Sequence, residues 1–116
     1  MIELNDVTKI YDGQTVPAVE SLDLKINEGE TCVFVGPSGC GKSTILRMIN
    51  RMIEQTSGTI TINGEEVRGT DPDHLRMNIG YVIQQIGLLP HRTVSENVAI
   101  VPRLHGWDKD KICKRV

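Results

Sequence analysis

Gly36-Pro37-Ser38-Gly39-Cys40-Gly41-Lys42-Ser43 fits G-x-x-x-x-G-K-[ST] and reads as a phosphate-binding P-loop. On its N-terminal side, Thr31-Cys32-Val33-Phe34-Val35 is a short apolar, β-branched run that predicts a strand. From Ile45 onward apolar residues recur at helical spacing, so strand, loop and helix come in the order the motif needs. Glycines at 36, 39 and 41 let the backbone wind around an anion with its N–H groups pointing inward, which Cβ atoms would obstruct. The helix that follows adds the partial positive charge of its N-terminus. Lys42 is placed to reach β- and γ-phosphate oxygens as a point charge, and the Ser43 hydroxyl to ligate a magnesium ion bridging them. Cys40 sits at a free position of the motif and reads as a small residue, not a catalytic thiol.

The totals narrow the classes. A chain of 116 residues is expected to form one domain whose folding buries roughly two-thirds of its unfolded surface. Aromatics are only 3%, so aliphatic side chains must carry the core. A formal net charge of -2 argues against a nucleic-acid partner, since such domains carry a clustered basic excess. Cys32, Cys40 and Cys113 are odd in number and show no C-x-x-C pairing, which points away from disulfides and zinc and fits a reducing cytosol. No apolar run approaches the roughly eighteen residues of a membrane span, and Met1-Ile2-Glu3-Leu4-Asn5 lacks the regions of a signal peptide. Membrane association is therefore expected through a partner.

Around the P-loop, Ile2 to Ile10 opens with an apolar alternation and predicts a strand, and Tyr11-Asp12-Gly13-Gln14 a turn. Val19 to Ile26 alternates again, with Leu22, Leu24 and Ile26 on one face, as in an antiparallel strand with one solvated side. Asn27-Glu28-Gly29 turns it toward the P-loop strand. Beyond Ser43, Ile45, Met48, Ile49, Met52 and Ile53 form one helical stripe, with Arg47, Asn50 and Arg51 turned away. Thr59 to Val67, broken at Asn63-Gly64, predicts a hairpin that extends the antiparallel layer. Asp71-Pro72-Asp73 opens a short helical turn. Ile79-Gly80-Tyr81-Val82-Ile83 predicts a further buried strand, running into Gln84-Gln85-Ile86-Gly87-Leu88-Leu89-Pro90-His91, a loop whose apolar residues have no evident core and so mark a contact site. Thr93-Val94-Ser95-Glu96 is a capping box opening a helix that carries Val94, Val98 and Val101 and is interrupted by Pro102. Asp108 is placed to cap a last amphipathic segment holding Ile112 and Val116. Asp108-Lys109-Asp110-Lys111 reads as a solvated helix face.

A P-loop fixes the ligand class and leaves the function open. A GTPase needs a guanine-reading N-K-x-D, which is absent, and the scattered Arg68, Arg76, Arg92 and Arg103 do not make the arginine-rich lid of a nucleoside kinase. The order of elements resembles the nucleotide-binding subunits of ABC transporters along the whole chain. Tyr11, in a turn upstream of the P-loop, matches the family's adenine-stacking position. The flanking antiparallel strands match its β-subdomain, and Ile79-Gly80-Tyr81-Val82-Ile83-Gln84 matches the strand leading into the Q-loop. The wording GPSGCGKS is typical of importer ATPases. INRMIEQTSGTITINGEEV and IGYVIQQIGLLPHRTVSENVAIVP look like the osmoprotectant branch, which takes up glycine betaine, carnitine, choline or proline betaine.

The resemblance implies an α/β P-loop NTPase of the ABC type: a partial parallel core sheet, an antiparallel β-subdomain, and the start of a helical subdomain. It implies ATP and Mg²⁺ as ligands. Gly36, Pro37, Ser38, Gly39, Cys40, Gly41, Lys42, Ser43 and Thr44 would contact the phosphates and Tyr11 the adenine. Lys42 and Gln84 would act in hydrolysis, and Ser43 and Gln84 would hold the metal. Gln85 replaces Gln84 if the register is off by one, and a partly buried strand-end tyrosine is the lesser, competing reading of Tyr11. The implied partners are a second copy of the subunit and a transmembrane permease met by Gln84 to His91, at the cytoplasmic face of the membrane. For Leu88, Leu89 and Pro90 plain packing is the competing reading.

The family's L-S-G-G-Q signature, its four aliphatics before Asp-Glu and its switch histidine are not in these residues, and His74, His91 and His105 lie too early to supply the last. The chain thus reads as roughly the N-terminal part of one nucleotide-binding domain, residues 1–116, expected to be nearly inactive by itself for want of the magnesium-anchoring aspartate and the general base. A non-hydrolytic nucleotide-binding module and a soluble ABC ATPase are the alternatives.

Overall fold

A computed structural model describes residues 1–85 and 87–116; Ile86, part of the expected contact loop, lies outside the described residues. The chain divides into two compact units, Met1–Arg76 and Met77–Val116.

The first unit is built on a four-stranded antiparallel sheet in the order β2-β1-β3-β4, with β1 Ile2–Lys9, β2 Val19–Ile26, β3 Ser57–Ile62 and β4 Glu65–Glu66. The alternations of the sequence set the register. Ile2 faces Ile26 and Leu4 faces Leu24 on one side of β1, while Ile2 faces Ile62 and Leu4 faces Ile60 on the other. Leu4, Val7 and Ile60 are fully buried, and the facing residues of β2 are half-buried, as the one-sided pattern requires. The ladder slips after Leu4, where Asp6 and, on β2, Ser21 take left-handed backbone. Each irregularity is tied by a side chain across the pair. The Asp6 N–H donates to Asp23 Oδ1 at 2.7 Å and the Ser21 N–H to Thr8 Oγ1 at 3.0 Å.

Asn63 and Gly64, both at positive φ, close the β3–β4 hairpin as the two-residue turn the sequence predicts, with Ile62 facing Glu65. Gly58 is required where β3 begins: its φ is +82° and a Cβ there would overlap the Asn5 and Asp6 carbonyls.

Helix α1, Lys42–Ile49, buries Ile45, Met48 and Ile49. It is shorter than its apolar stripe. Arg51 takes φ +53°, its N–H bonds Met48 O at 3.0 Å and the Met52 N–H bonds Arg47 O at 2.8 Å, a Schellman termination. Met52 is therefore 52% exposed, and Asn50 and Arg51 do not turn away as expected. Asn50 is buried, and the Arg51 guanidinium donates to Thr70 O at 2.6 Å and Val67 O at 3.3 Å, with Glu54 at 3.1 Å. Arg76 reaches back to Arg51 O at 2.7 Å, so the helix end and the stretch before α2, Pro72–Met77, are laced together. Asp71 caps α2 by accepting from the His74 N–H at 2.8 Å.

No ladder of the expected parallel core sheet is present among the described residues. Among the described residues neither 31–35 nor 79–83 joins a ladder, and Val33, Val35 and Val82 are 74%, 90% and 95% exposed. An inner parallel strand takes its hydrogen bonds and its burial from strands and helices on both sides, so an apolar run without those neighbours stays extended and bare.

In the second unit the capping box forms as read: Thr93 Oγ1 accepts from the Glu96 N–H, and the Glu96 carboxylate accepts from the Thr93 N–H at 2.8 Å. The helix breaks sooner than expected, at Ala99, into α3 Val94–Val98 and α4 Ile100–Leu104. Pro102 has no N–H for the Val98 carbonyl, so it sits in the first turn of α4, where none is needed. Helix α5, Lys109–Arg115, is capped by Asp108, which accepts from the Lys111 N–H at 2.8 Å.

Candidate phosphate-binding site

The loop 36–41 ends in Gly41, the N-cap of α1, at φ +90°. Two constraints make this position glycine: the left-handed backbone, and the approach of β2's entry, where a Cβ would stand 2.5 Å from Ala18 O and 3.1 Å from Val19 Cγ2. Gly39 at φ +84° has open space around it, so only its backbone conformation favours glycine. Pro37, Ser38, Gly39 and Cys40 are all exposed, and the Cys40 thiol lies so near Gly36 that a Cβ there would meet Sγ at 2.8 Å.

Lys42, the first residue of α1, folds its side chain over the loop. Nζ donates to Gly36 O and Pro37 O, both at 2.7 Å, and stands 3.3 Å from Cys40 Sγ. The ammonium thus closes the loop it follows, adding a full charge to the partial charge of the α1 N-terminus. Ser43 is exposed in the first turn and its hydroxyl makes no hydrogen bond among the described residues, leaving an oxygen to offer a cation. No group of three His, Cys, Asp or Glu side chains that could hold a metal occurs among the described residues, so a cation here would depend on phosphate oxygens and hydroxyls.

Thr44 is half-buried, and its Oγ1 lies 3.1 Å from the Tyr11 hydroxyl, a contact across 33 residues of sequence. Tyr11 begins the turn after β1, where the Gln14 N–H bonds Tyr11 O at 3.0 Å, and its ring lies 5.3 Å from the Lys9 ammonium. The first unit therefore brings Tyr11, the glycine loop, Lys42, Ser43 and Thr44 together. The Tyr11–Thr44 contact and the Lys9 ammonium carry no signal in the sequence, because both depend on how β1 ends beside α1.

Gln84 and Gln85 belong to the second unit and are exposed, as are Leu88, Leu89, Pro90 and His91. Leu88 and Leu89 are 59% and 39% exposed, in keeping with a loop lacking a core of its own. The three cysteines are free and exposed. No helix among the described residues is long and apolar enough to cross a membrane.

Comparison with known proteins gives the family. An osmoprotectant import ATP-binding protein, OsmV of Salmonella typhimurium, is 53% identical over 99% of this chain, and a glycine betaine/carnitine/choline transport ATP-binding protein, OpuCA of Bacillus subtilis, is 52% identical over 96%. The chain spans about a third of the length of these relatives, 31% and 29%. Among solved structures, a dimeric ATP-binding cassette in a post-hydrolysis state bound to ADP and Pi superposes over 99% of this chain and 53% of its own length, at a TM-score of 0.85 and 34% identity. The ABC transporter family model matches residues 19–116, which takes in the loop, Lys42, Thr44 and the Gln84 segment alike, and the chain belongs to that family.

Proposed function

We propose that this chain is the ATP-binding part of the subunit that energises uptake of a quaternary-amine osmoprotectant through an ABC importer. The observation that carries the reading is the loop itself. Gly41 caps α1 in left-handed backbone, the Lys42 ammonium lies across the loop on Gly36 and Pro37 carbonyls, and the Ser43 hydroxyl beside it makes no hydrogen bond among the described residues. A triphosphate entering there meets backbone N–H groups, a helix N-terminus and one ammonium group, the donor set that phosphoryl oxygens require. The osmoprotectant importers among the relatives support the substrate class.

In this reading Gly36 to Thr44 hold the phosphates, and Lys42 draws β- and γ-oxygen charge toward the helix. Ser43 offers its hydroxyl to Mg²⁺, which when bound neutralises charge on those oxygens. Tyr11 presents its ring to the adenine, a contact nearly blind to the identity of the base. Gln84, or Gln85 in the neighbouring register, offers an amide oxygen to the metal or the attacking water. Gln84 to His91 meet the permease at the cytoplasmic face, and a second copy of the subunit completes the ATPase.

Equilibrium binding of MgATP to the polypeptide carrying this sequence tests the site: Lys42→Ala is expected to abolish binding, and unchanged affinity would sink the assignment. ATP-driven uptake of glycine betaine, carnitine or choline into vesicles holding the assembled transporter tests the substrate class, which fails if none of the three is taken up.

A further inference from the structure

One side chain in the second unit hydrogen-bonds four backbone groups outside any regular ladder. Asn97 Oδ1 accepts from the Leu89 N–H at 2.8 Å, and Nδ2 faces Thr93 O at 2.9 Å, Leu89 O at 3.2 Å and Arg92 O at 3.3 Å. The network fixes the orientation of the amide, since the one N–H must meet oxygen and the three carbonyls must meet nitrogen. Asn97 therefore satisfies both main-chain groups of Leu89, as a neighbouring strand would. Residues 89–92 have no strand or helix of their own, only the turn in which the Arg92 N–H bonds Leu89 O at 3.1 Å. Asn97 itself is held in place because α3 starts at the Thr93–Glu96 capping box, four residues before it. The result is a pinned backbone from Leu89 to Thr93 that carries the exposed Leu89 and Pro90 and directly follows the exposed Leu88.

An exposed apolar loop without a backbone clamp samples many conformations and pays an ordering cost on meeting a partner, whereas a clamped one has paid it beforehand. We propose that Asn97 is a positioning residue: it presets the Leu88–Pro90 loop in the shape that the permease subunit meets, without touching nucleotide. This rests on the reading above, in which that loop is the permease contact.

Asn97→Leu keeps the branched outline of the side chain, with somewhat larger bulk, and deletes every bond. Asn97→Asp keeps an acceptor for the Leu89 N–H but sets oxygen against three carbonyls, and stands in should the leucine variant fold poorly. Three quantities are measured on the polypeptide carrying this sequence: amide hydrogen exchange at Leu89, MgATP affinity, and affinity for the transmembrane subunit of its transporter. Loss of two or more hydrogen bonds is expected to speed Leu89 exchange in the leucine variant and to weaken permease association in both variants about tenfold, with MgATP affinity held within about twofold. Unchanged Leu89 exchange in Asn97→Leu, or unchanged permease association in both variants, would overturn the proposal. So would an equal loss of MgATP and permease affinity, the mark of general unfolding. A wild-type polypeptide that binds MgATP yet never associates with the permease would overturn the permease contact together with this inference. Association that survives in the variants overturns this inference alone.

Discussion

The hydroxyl of Tyr11 lies 3.1 Å from Oγ1 of Thr44, joining the turn after β1 to the first turn of α1. The aromatic ring is thereby anchored to the helix that follows the glycine loop. Tyr11→Phe removes this bond and keeps the ring, while Tyr11→Ala removes both. If the ring stacks on adenine, the alanine variant should lose about fivefold in ATP affinity. The phenylalanine variant should lose less, and neither should change the affinity for tripolyphosphate, which has no base. Titration with the two ligands in parallel checks this, and an equal loss for both would assign Tyr11 to packing.

Gly41 and Gly39 share a left-handed backbone but not their surroundings. At Gly39 an alanine would meet open space and cost about 1 kcal/mol of backbone strain. At Gly41 it would also drive its Cβ into Ala18 O and Val19 Cγ2, and a loss of about 2–4 kcal/mol is expected. Denaturant unfolding of Gly39→Ala and Gly41→Ala gives the comparison directly, and equal losses would refute the role of the β2 approach.

Arg51 is a surface arginine by its sequence pattern and a structural tie in the fold. Truncation to alanine removes donors to Thr70 O and Val67 O and leaves those carbonyls dependent on water. A stability loss of about 1–2 kcal/mol is expected, with MgATP affinity unchanged. Thermal unfolding and nucleotide titration of the same preparation separate the two effects.

Hydrogen bonds from the Thr93 backbone N–H and then from its hydroxyl hold the Glu96 carboxyl below its ordinary value of 4.5, with smaller help from Arg92 and Arg103. A depressed carboxyl contributes its stabilisation above the unfolded pKa and loses it as pH falls through the folded one. The α3 start should therefore be insensitive to pH near neutrality and fray only below pH 4.5, with Glu96→Gln removing that acid dependence. Amide exchange at residues 96–98 across an acid series reads this out.

The outcome at each segment follows from whether its cause was local. The capping box at Thr93 and Glu96, the Asp71 and Asp108 caps and the Asn63-Gly64 turn were legible because each depends on residues within four positions of one another. So was the antiparallel layer, whose one-sided alternation leaves few registers open. The strands expected at 31–35 and 79–83 were not settled by their apolar composition, because buried strands exist only where other segments supply the other half of each hydrogen bond.

Sequence alone thus marked the candidate site: which loop carries the glycines, which lysine and hydroxyl follow it, and where the helices start. Only the tertiary structure decided that α1 ends in a left-handed Arg51 which laces the stretch after β4, that Thr44 anchors Tyr11, and that Asn97 holds Leu89. These last contacts join residues 8 to 33 positions apart or hinge on a backbone conformation that L side chains rarely adopt, and no pattern of neighbouring side chains encodes either.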